Sequence, residues 1–405
     1  KERFVTEEQF KGAEFGQFFS DASECDGASA ILTFMAPPES GSPAAKLAAQ
    51  KGPPVEKMTD VDAVALEDSP NLKLRGYQLT KRFRYYSQQI EKEPKNLGAY
   101  AKLGQILVDM GYQSGDDYNR GYLDAAMETV ERGLTLASGE FNGPLLAQRA
   151  TIFTHMGKTP EATKDFVQLV AKTPRTFETA LVGYYMNQKL ARLRDAEKWL
   201  TLAISVADRP ARKRLARNKL AFTYSDQNRH AEALEKLNEN IKDPGVTAWD
   251  WHNAAREYGF LKDYDKCIEY DKKALEIMDF GVARKNIAWA LEGKSLALAP
   301  KPNDSREETT KKLEEAESLL LEALKWDAKN ESVHLGLIDL RLSRYGRDRT
   351  PENYDRVKAY IDRTVTSKAA DTAKIARKIN LLKIFSTLDL KNDTRAPAAA
   401  SAPTK

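Results

Sequence analysis

From Ser69 to about Leu388 the apolar residues recur at helical spacing, in stretches of about a dozen residues broken by polar turns. The stretch Trp249–Ile277 is the clearest. Trp251, Ala254, Ala255 and Tyr258 fall at i, i+3, i+4 and i+7, so they share one face of a first helix. After a short polar turn, Tyr264, Cys267, Ala274 and Leu275 mark the face of a second helix. The small residues let two helices approach closely, and the aromatics fill the remaining volume. Neither helix can bury its face alone, so the spacing predicts a helical hairpin that needs copies of itself to build a core.

The copies are present. A small or compact residue recurs in the second helix of each pair at Ala126, Ala162, Ala196, Ala233, Cys267, Ala316 and Val357, with spacings of 36, 34, 37, 34, 49 and 41. Leu72–Lys92, with Leu79, Phe83, Tyr86 and Ile90, reads as a lone second helix opening the array. Polar insertions at Tyr112–Gly121 and Pro300–Thr309 lengthen the turns of the first and sixth pairs, and the seventh, Val333–Thr366, is looser. Asp371–Leu388, with Ile375, Ile379 and Leu382, reads as a cap helix.

Trp249–Ile277 resembles a tetratricopeptide repeat (TPR). Trp251, Ala255, Tyr258, Tyr264, Cys267 and Ala274 fall at that family's positions 4, 8, 11, 17, 20 and 27, while Ala254 at 7 and Asp271 at 24 depart from it. In the third unit Gly183 and Tyr184 are poor matches at 7 and 8. A period of about 34 residues with insertions at turns is the family's pattern, and the resemblance extends over residues 95–390. It implies an all-α fold, a right-handed α-solenoid of about seven TPR-like helical hairpins with a C-terminal cap helix.

Outside the array the pattern changes. Residues 1–69 carry an aromatic cluster, Phe4, Phe10, Phe15, Phe18 and Phe19, then a short apolar run, Ala28–Met35, and a Pro/Ala/Gly/Ser-rich stretch, Ala36–Pro54. That last stretch cannot bury enough apolar area to offset its ordering entropy, so it is expected to be a linker. For the aromatic segment two destinations are open, packing back onto the array or docking on another molecule. The division is therefore an N-terminal segment and linker over 1–69, a solenoid over 70–390, and a low-complexity, disordered tail over 391–405.

Composition narrows the function classes. Of 405 residues, 41% are apolar and 30% charged, which suits an extended helical array with much surface. A net charge of +4 makes no global demand for nucleic acid. Two cysteines, Cys25 and Cys267, cannot make a disulfide framework, and Cys267 sits where a repeat wants a small buried residue. No apolar run is long enough to span a membrane. The chain begins at Lys1 and not at Met, which fits either a removed leader, as in an exported chain, or a trimmed start, and the Ala/Pro-rich linker and tail suggest a bacterial protein of the envelope or periplasm, compartment otherwise unknown.

No catalytic or cofactor motif survives inspection. His155, His230, His252 and His334 lie in different repeats without close ligand spacing. Gly157–Lys158–Thr159 ends like a phosphate loop, but its first glycine is replaced by Ile152 and it lies between two helices. No enzyme, cofactor or metal site is expected.

Two surfaces are candidates for binding. By the resemblance, the concave groove is lined near positions 2, 5, 9 and 12 of the first helices, and the residues carried over are Trp249 at 2, Asn218, His252 and Lys285 at 5, and Tyr185, Phe222, Arg256 and Trp289 at 9. Aromatics and Arg there are the residue types that anchor interfaces. The family's carboxylate clamp is not assembled in any three consecutive units. The second surface is the run Arg209–Lys219, with Arg209, Arg212, Lys213, Arg214, Arg217 and Lys219 as a basic patch able to hold phosphate or an acidic peptide. The reading that follows is a non-catalytic scaffold or adaptor for a protein or peptide partner in a complex, with nucleic acid unlikely as ligand and the oligomeric state open. The alternatives are a regulatory subunit docking an enzyme through the Phe-rich N-terminus, and a binder of nucleic acid or an acidic partner through residues 209–219.

Overall fold

The computed structural model describes residues 55–68, 75–114 and 117–393. The Phe-rich segment, the Ala36–Pro54 linker and the tail beyond Asp393 lie outside the described residues.

Among the described residues the chain folds into seventeen α-helices and one two-stranded ladder. A short helix α1 (Asp60–Asp68) precedes α2 (Arg75–Lys92). Seven pairs follow: α3 (Leu97–Gly111) with α4 (Arg120–Leu136), α5 (Gly143–His155) with α6 (Thr159–Lys172), α7 (Phe177–Lys189) with α8 (Leu193–Val206), α9 (Pro210–Ser225) with α10 (His230–Ile241), α11 (Ala248–Phe260) with α12 (Tyr264–Ile277), α13 (Gly281–Ala297) with α14 (Arg306–Trp326), and α15 (Glu331–Arg347) with α16 (Pro351–Thr366). The cap helix α17 (Thr372–Asp393) closes the array. The fold is an all-α solenoid. The insertion after α3 forms β1 (Tyr112–Ser114) and β2 (Asp117–Tyr118), paired antiparallel.

The recurring small residues do what their spacing predicts. Ala126, Ala162, Ala196, Ala233, Cys267, Ala316 and Val357 are all buried, and so are the residues seven further on, Gly133, Leu169, Ala203, Asn240, Ala274, Ala323 and Thr364. Within each unit they line the buried face of the second helices. The turns repeat as well. Gly157, Ala191, Asn228 and Lys262 all take positive φ, at +74°, +54°, +59° and +63°. The amide after each reaches back five residues, Lys158 to Phe153, Arg192 to Asn187, Arg229 to Tyr224 and Asp263 to Tyr258, at 2.8–2.9 Å. A Schellman close thus ends the first helix of four successive pairs. It makes Gly157–Lys158–Thr159 a helix-ending turn.

The departures from the repeat pattern have local reasons. A Cβ on Gly183 would stand 2.4 Å from the Trp199 ring, so the glycine lets the indole of α8 lie against α7. Asp271, at a position that wants a bulky apolar residue, is fully buried and accepts a 2.6 Å hydrogen bond from Asn286 Nδ2 of the next pair.

The chain divides into two compact units at Glu257/Tyr258. In the first, Tyr100, Ile106, Leu123, Val130, Leu145 and Ile152 form the core of the opening pairs. Smaller clusters around Ala150, Leu169 and Val182, and around Phe177, Ala203 and Ala216, carry it onward. Charge is also buried there: Arg149 donates through Nε and Nη2, both at 2.7 Å, to Asp165, which is 1% exposed. In the second unit Ile287, Leu291, Leu320, Leu337, Ile338 and Ile361 form one core, to which α17 adds Ile375 and Leu382.

Candidate partner-binding surface

In the first unit the basic run starts at Arg209, the N-cap residue of α9. Its guanidinium donates to Asp68 at 2.8 Å and to Glu67 at 3.3 Å, carboxylates 141 and 142 residues earlier in the chain. Glu67 also meets Arg82 of α2 at 3.1 Å and Lys102 of α3 at 3.2 Å. Burial alone would raise the Glu67 carboxyl, but Arg82, then Lys102 and Arg209, outweigh it and hold it at about 2.

The rest of the run is equally engaged. Arg212 pairs with Glu178 of α7 at 2.8 Å and lies 4.9 Å over the Phe177 ring. Arg214 is buried and pairs with Asp243 at 3.3 Å. Arg217 pairs with Glu239 of α10 at 2.9 Å. Lys219 sits 4.7 Å over Tyr185 and 5.2 Å over Tyr184. Lys213 is exposed, on the side of Glu239. The expectation of an open basic patch therefore needs correction: four arginines of the run are engaged by carboxylates of neighbouring elements.

The groove residues separate into three groups. Tyr185 is part of an aromatic ladder in the first unit, Tyr112–Tyr118–His155–Tyr185, with ring centroids 5.5, 4.1 and 5.1 Å apart. Burial raises the Tyr185 hydroxyl far above the ordinary range. It also lowers His155 to about 4, with Lys219 and Lys189 adding to the effect, so that imidazole is neutral at pH 7.

Asn218 and His252 are the second group, and neither is an open groove side chain. Asn218 donates at 2.8 Å to Asp250, whose other oxygen accepts from the Thr247 amide and hydroxyl at 2.8 and 2.7 Å as the cap of α11. Asn240 reaches the same carboxylate at 3.4 Å. His252 is 1% exposed and packs edge-on to Trp249 at 5.6 Å. Position number gives the helix face, but here the helices lie close enough to cover it.

The third group stays at the surface. In the first unit Phe222 and Trp249 are 37% and 39% exposed, and the Arg256 guanidinium lies 5.9 Å over the Phe222 ring. In the second unit Lys285 is exposed and Trp289 is 39% exposed. One edge of that indole fills the space a Cβ on Gly259 would take, 2.3 Å away, and the ring stands edge-on to Phe260 and Tyr264 at 6.1 Å each.

Sequence reading missed α1 altogether. The signal was there in Thr59–Asp62, a capping box in which the Asp62 carboxylate accepts from the Thr59 amide and hydroxyl at 2.8 and 2.7 Å. Among the described residues no group of His, Cys, Asp and Glu is arranged to hold a metal ion, and no helix is long and apolar enough to cross a membrane. The Cys267 thiol is buried, and burial, then Asp271, pushes it up to about 12.

Residues 251–277, from the fourth residue of α11 to the end of α12, match the family model of the tetratricopeptide repeat. The α11–α12 hairpin is thus similar to a tetratricopeptide repeat. No curated protein sequence matches the chain. Among solved structures, a TPR protein from Parabacteroides merdae is 17% identical, with 69% of this chain and 98% of that one covered and a TM-score of 0.37. Yeast Tom70 is 16% identical over 84% of this chain and 66% of its own, with a TM-score of 0.40. A TPR protein from Thermus thermophilus is 22% identical over 48% of this chain and 98% of its own, with a TM-score of 0.38.

Proposed function

We propose that this TPR-like protein is a scaffold or adaptor that holds a segment of a partner protein against the exposed anchors of its first helices. The observation that carries the reading is the Phe222–Arg256–Trp249 group: two half-exposed aromatic rings and a guanidinium stacked on one of them, displayed by two successive first helices. An exposed ring costs hydration, and aromatic and Arg side chains are the types that concentrate binding energy when a partner covers them. The array below is held by buried small residues and repeated turns, so the anchors are presented without an ordering cost at binding. The Ala/Pro-rich tail composition suggests an assembly of the bacterial envelope as the setting.

The test is capture of a partner by the full chain, followed by titration of the purified partner against wild type and Phe222→Ala/Arg256→Glu. The expected result is a loss of affinity of about tenfold or more with the circular dichroism of the variant unchanged. An unaltered affinity would remove these anchors from the binding surface.

A further inference from the structure

Helix α1 is held in an unusual way for its length. At nine residues it is too short to be stable by itself. Its acidic residues Glu67 and Asp68 stand at its C-terminal end, where the helix dipole disfavours them. Its apolar grip is small: Ala63 is fully buried and Met58 just ahead of it is buried, but Val61 is 77% exposed. Leu66 adds a half-buried contact with the same core, and the remaining contacts are polar, a 3.1 Å hydrogen bond from Tyr85 to Asp60 and the contacts of Glu67 and Asp68 with Arg82, Lys102 and Arg209.

The receiving side is built differently. Arg82 is 3% exposed, so the protein holds a cation in its interior opposite a carboxylate that arrives on a nine-residue helix. A buried arginine without a counter-charge is costly, so this place demands an anion. The three cations come from three elements, α2, α3 and the N-cap of α9, and converge on two adjacent carboxylates. They are preorganised by the array, whereas α1 depends on them for its helical end.

We propose that Arg82, Lys102 and Arg209 form a docking site for an acidic helical segment of a partner protein, which α1 fills in cis. The ligand is defined by what α1 presents: a short helix with a small apolar residue four positions before an adjacent pair of carboxylates, as Ala63 stands before Glu67–Asp68. A partner must overcome the effective concentration of the tethered helix, on the order of millimolar for a short linker, so tight binding in trans requires a longer apolar contact than α1 offers. The inference shares with the scaffold reading only the premise that the ligand is a protein segment. It does not use Phe222, Trp249 or Arg256.

The probe is a fluorescent synthetic peptide of residues 55–68, titrated by anisotropy into the full chain. The receivers are wild type, Glu67→Ala/Asp68→Ala, and that variant with Ala63→Arg added to expel the helix from its apolar seat. One or both emptied variants are expected to bind the peptide at least tenfold more tightly than wild type. Adding Arg209→Glu to the binding variant is expected to reverse most of the gain, and rising salt to weaken binding steeply. Amides of 60–68 in wild type should lose hydrogen-exchange protection at saturating peptide. Phe222→Ala/Arg256→Glu should leave all of this unchanged, which separates the two sites. The proposal is overturned if neither emptied variant, each folded by circular dichroism, binds the peptide, if Arg209→Glu has no effect, or if inorganic phosphate or a single-stranded oligonucleotide displaces the peptide as well as unlabelled peptide does.

Discussion

Helices α9 and α13 are both first helices of their pairs, and both carry residues that sequence alone points to as binding groups. They use them in opposite ways. On α9 the arginines meet Glu178, Glu239 and Asp243, and Asn218 meets Asp250. On α13 Lys285 extends into solvent, and Trp289 keeps more than a third of its surface exposed while its other edge sits over Gly259. The difference lies in what the neighbouring elements supply. Where an adjacent pair brings a carboxylate, a cation becomes a cross-link of the array; where it brings a glycine, an aromatic can rest against the array and still be displayed. Residue type does not distinguish the two.

The largest effect is expected where α9 is tied most deeply. Asp250 caps α11 and accepts from Asn218 and Asn240 in the same buried place. Asp250→Ala should lower unfolding stability by about 3 kcal/mol, since a cap is lost and buried donors are left without an acceptor. The urea midpoint at an unchanged slope checks this. A loss below about 1 kcal/mol would mean that α9 is joined to its neighbours only by surface pairing.

Trp289→Ala comes next. A half-buried indole should cost less than the 3–5 kcal/mol of a buried one, about 2 kcal/mol, and Gly259 should be the residue that reports it. Filling the vacated space with Gly259→Ala in the Trp289→Ala background is expected to recover part of the loss, while Gly259→Ala alone should be destabilising because its Cβ would meet the ring. If the single glycine substitution is neutral, the ring is not seated there.

Glu67 gives a pH test within the first unit. Its carboxyl is held at about 2 in the folded protein against an ordinary value of 4.5. A lowered folded value contributes stability that is fully present above pH 4.5 and fades as pH falls toward 2. The difference in thermal midpoint between wild type and Glu67→Gln should therefore be constant near neutrality and shrink through that window. A difference independent of pH would show that the cations around Glu67 do not sense its charge.

The repeat architecture was legible because it is periodic. Small residues every 34 to 49 positions mark the buried faces of the second helices, and the cap helix follows from Ile375 and Leu382. What stayed hidden was whatever depends on pairing across the array. Asp271 breaks the pattern until Asn286 is placed beside it, and Gly183 looks wrong until Trp199 is. His252 and Asn218 read from sequence as open-face residues, because position within a repeat fixes direction but not how near the next helix lies. Helix α1 escaped because nine residues with one fully buried side chain carry no period to detect.

The smallest effects sharpen the comparison most. Arg217 and Lys285 are both long cations on first helices, and a reading by residue type treats them alike. The Arg217 side chain is only 14% exposed and faces Glu239 at 2.9 Å, whereas Lys285 is exposed. Arg217→Ala should cost about 1 kcal/mol, near the upper end for ion pairs that water still reaches, and the cost should fall in high salt. Lys285→Ala should stay within about 0.5 kcal/mol at any salt concentration. Glu239→Ala supplies the third corner of a cycle: with Arg217→Ala it should be non-additive, with Lys285→Ala additive. Were Lys285 to cost as much as Arg217, or the Arg217–Glu239 coupling to vanish, availability on α13 and commitment on α9 would not be the distinction that separates these helices.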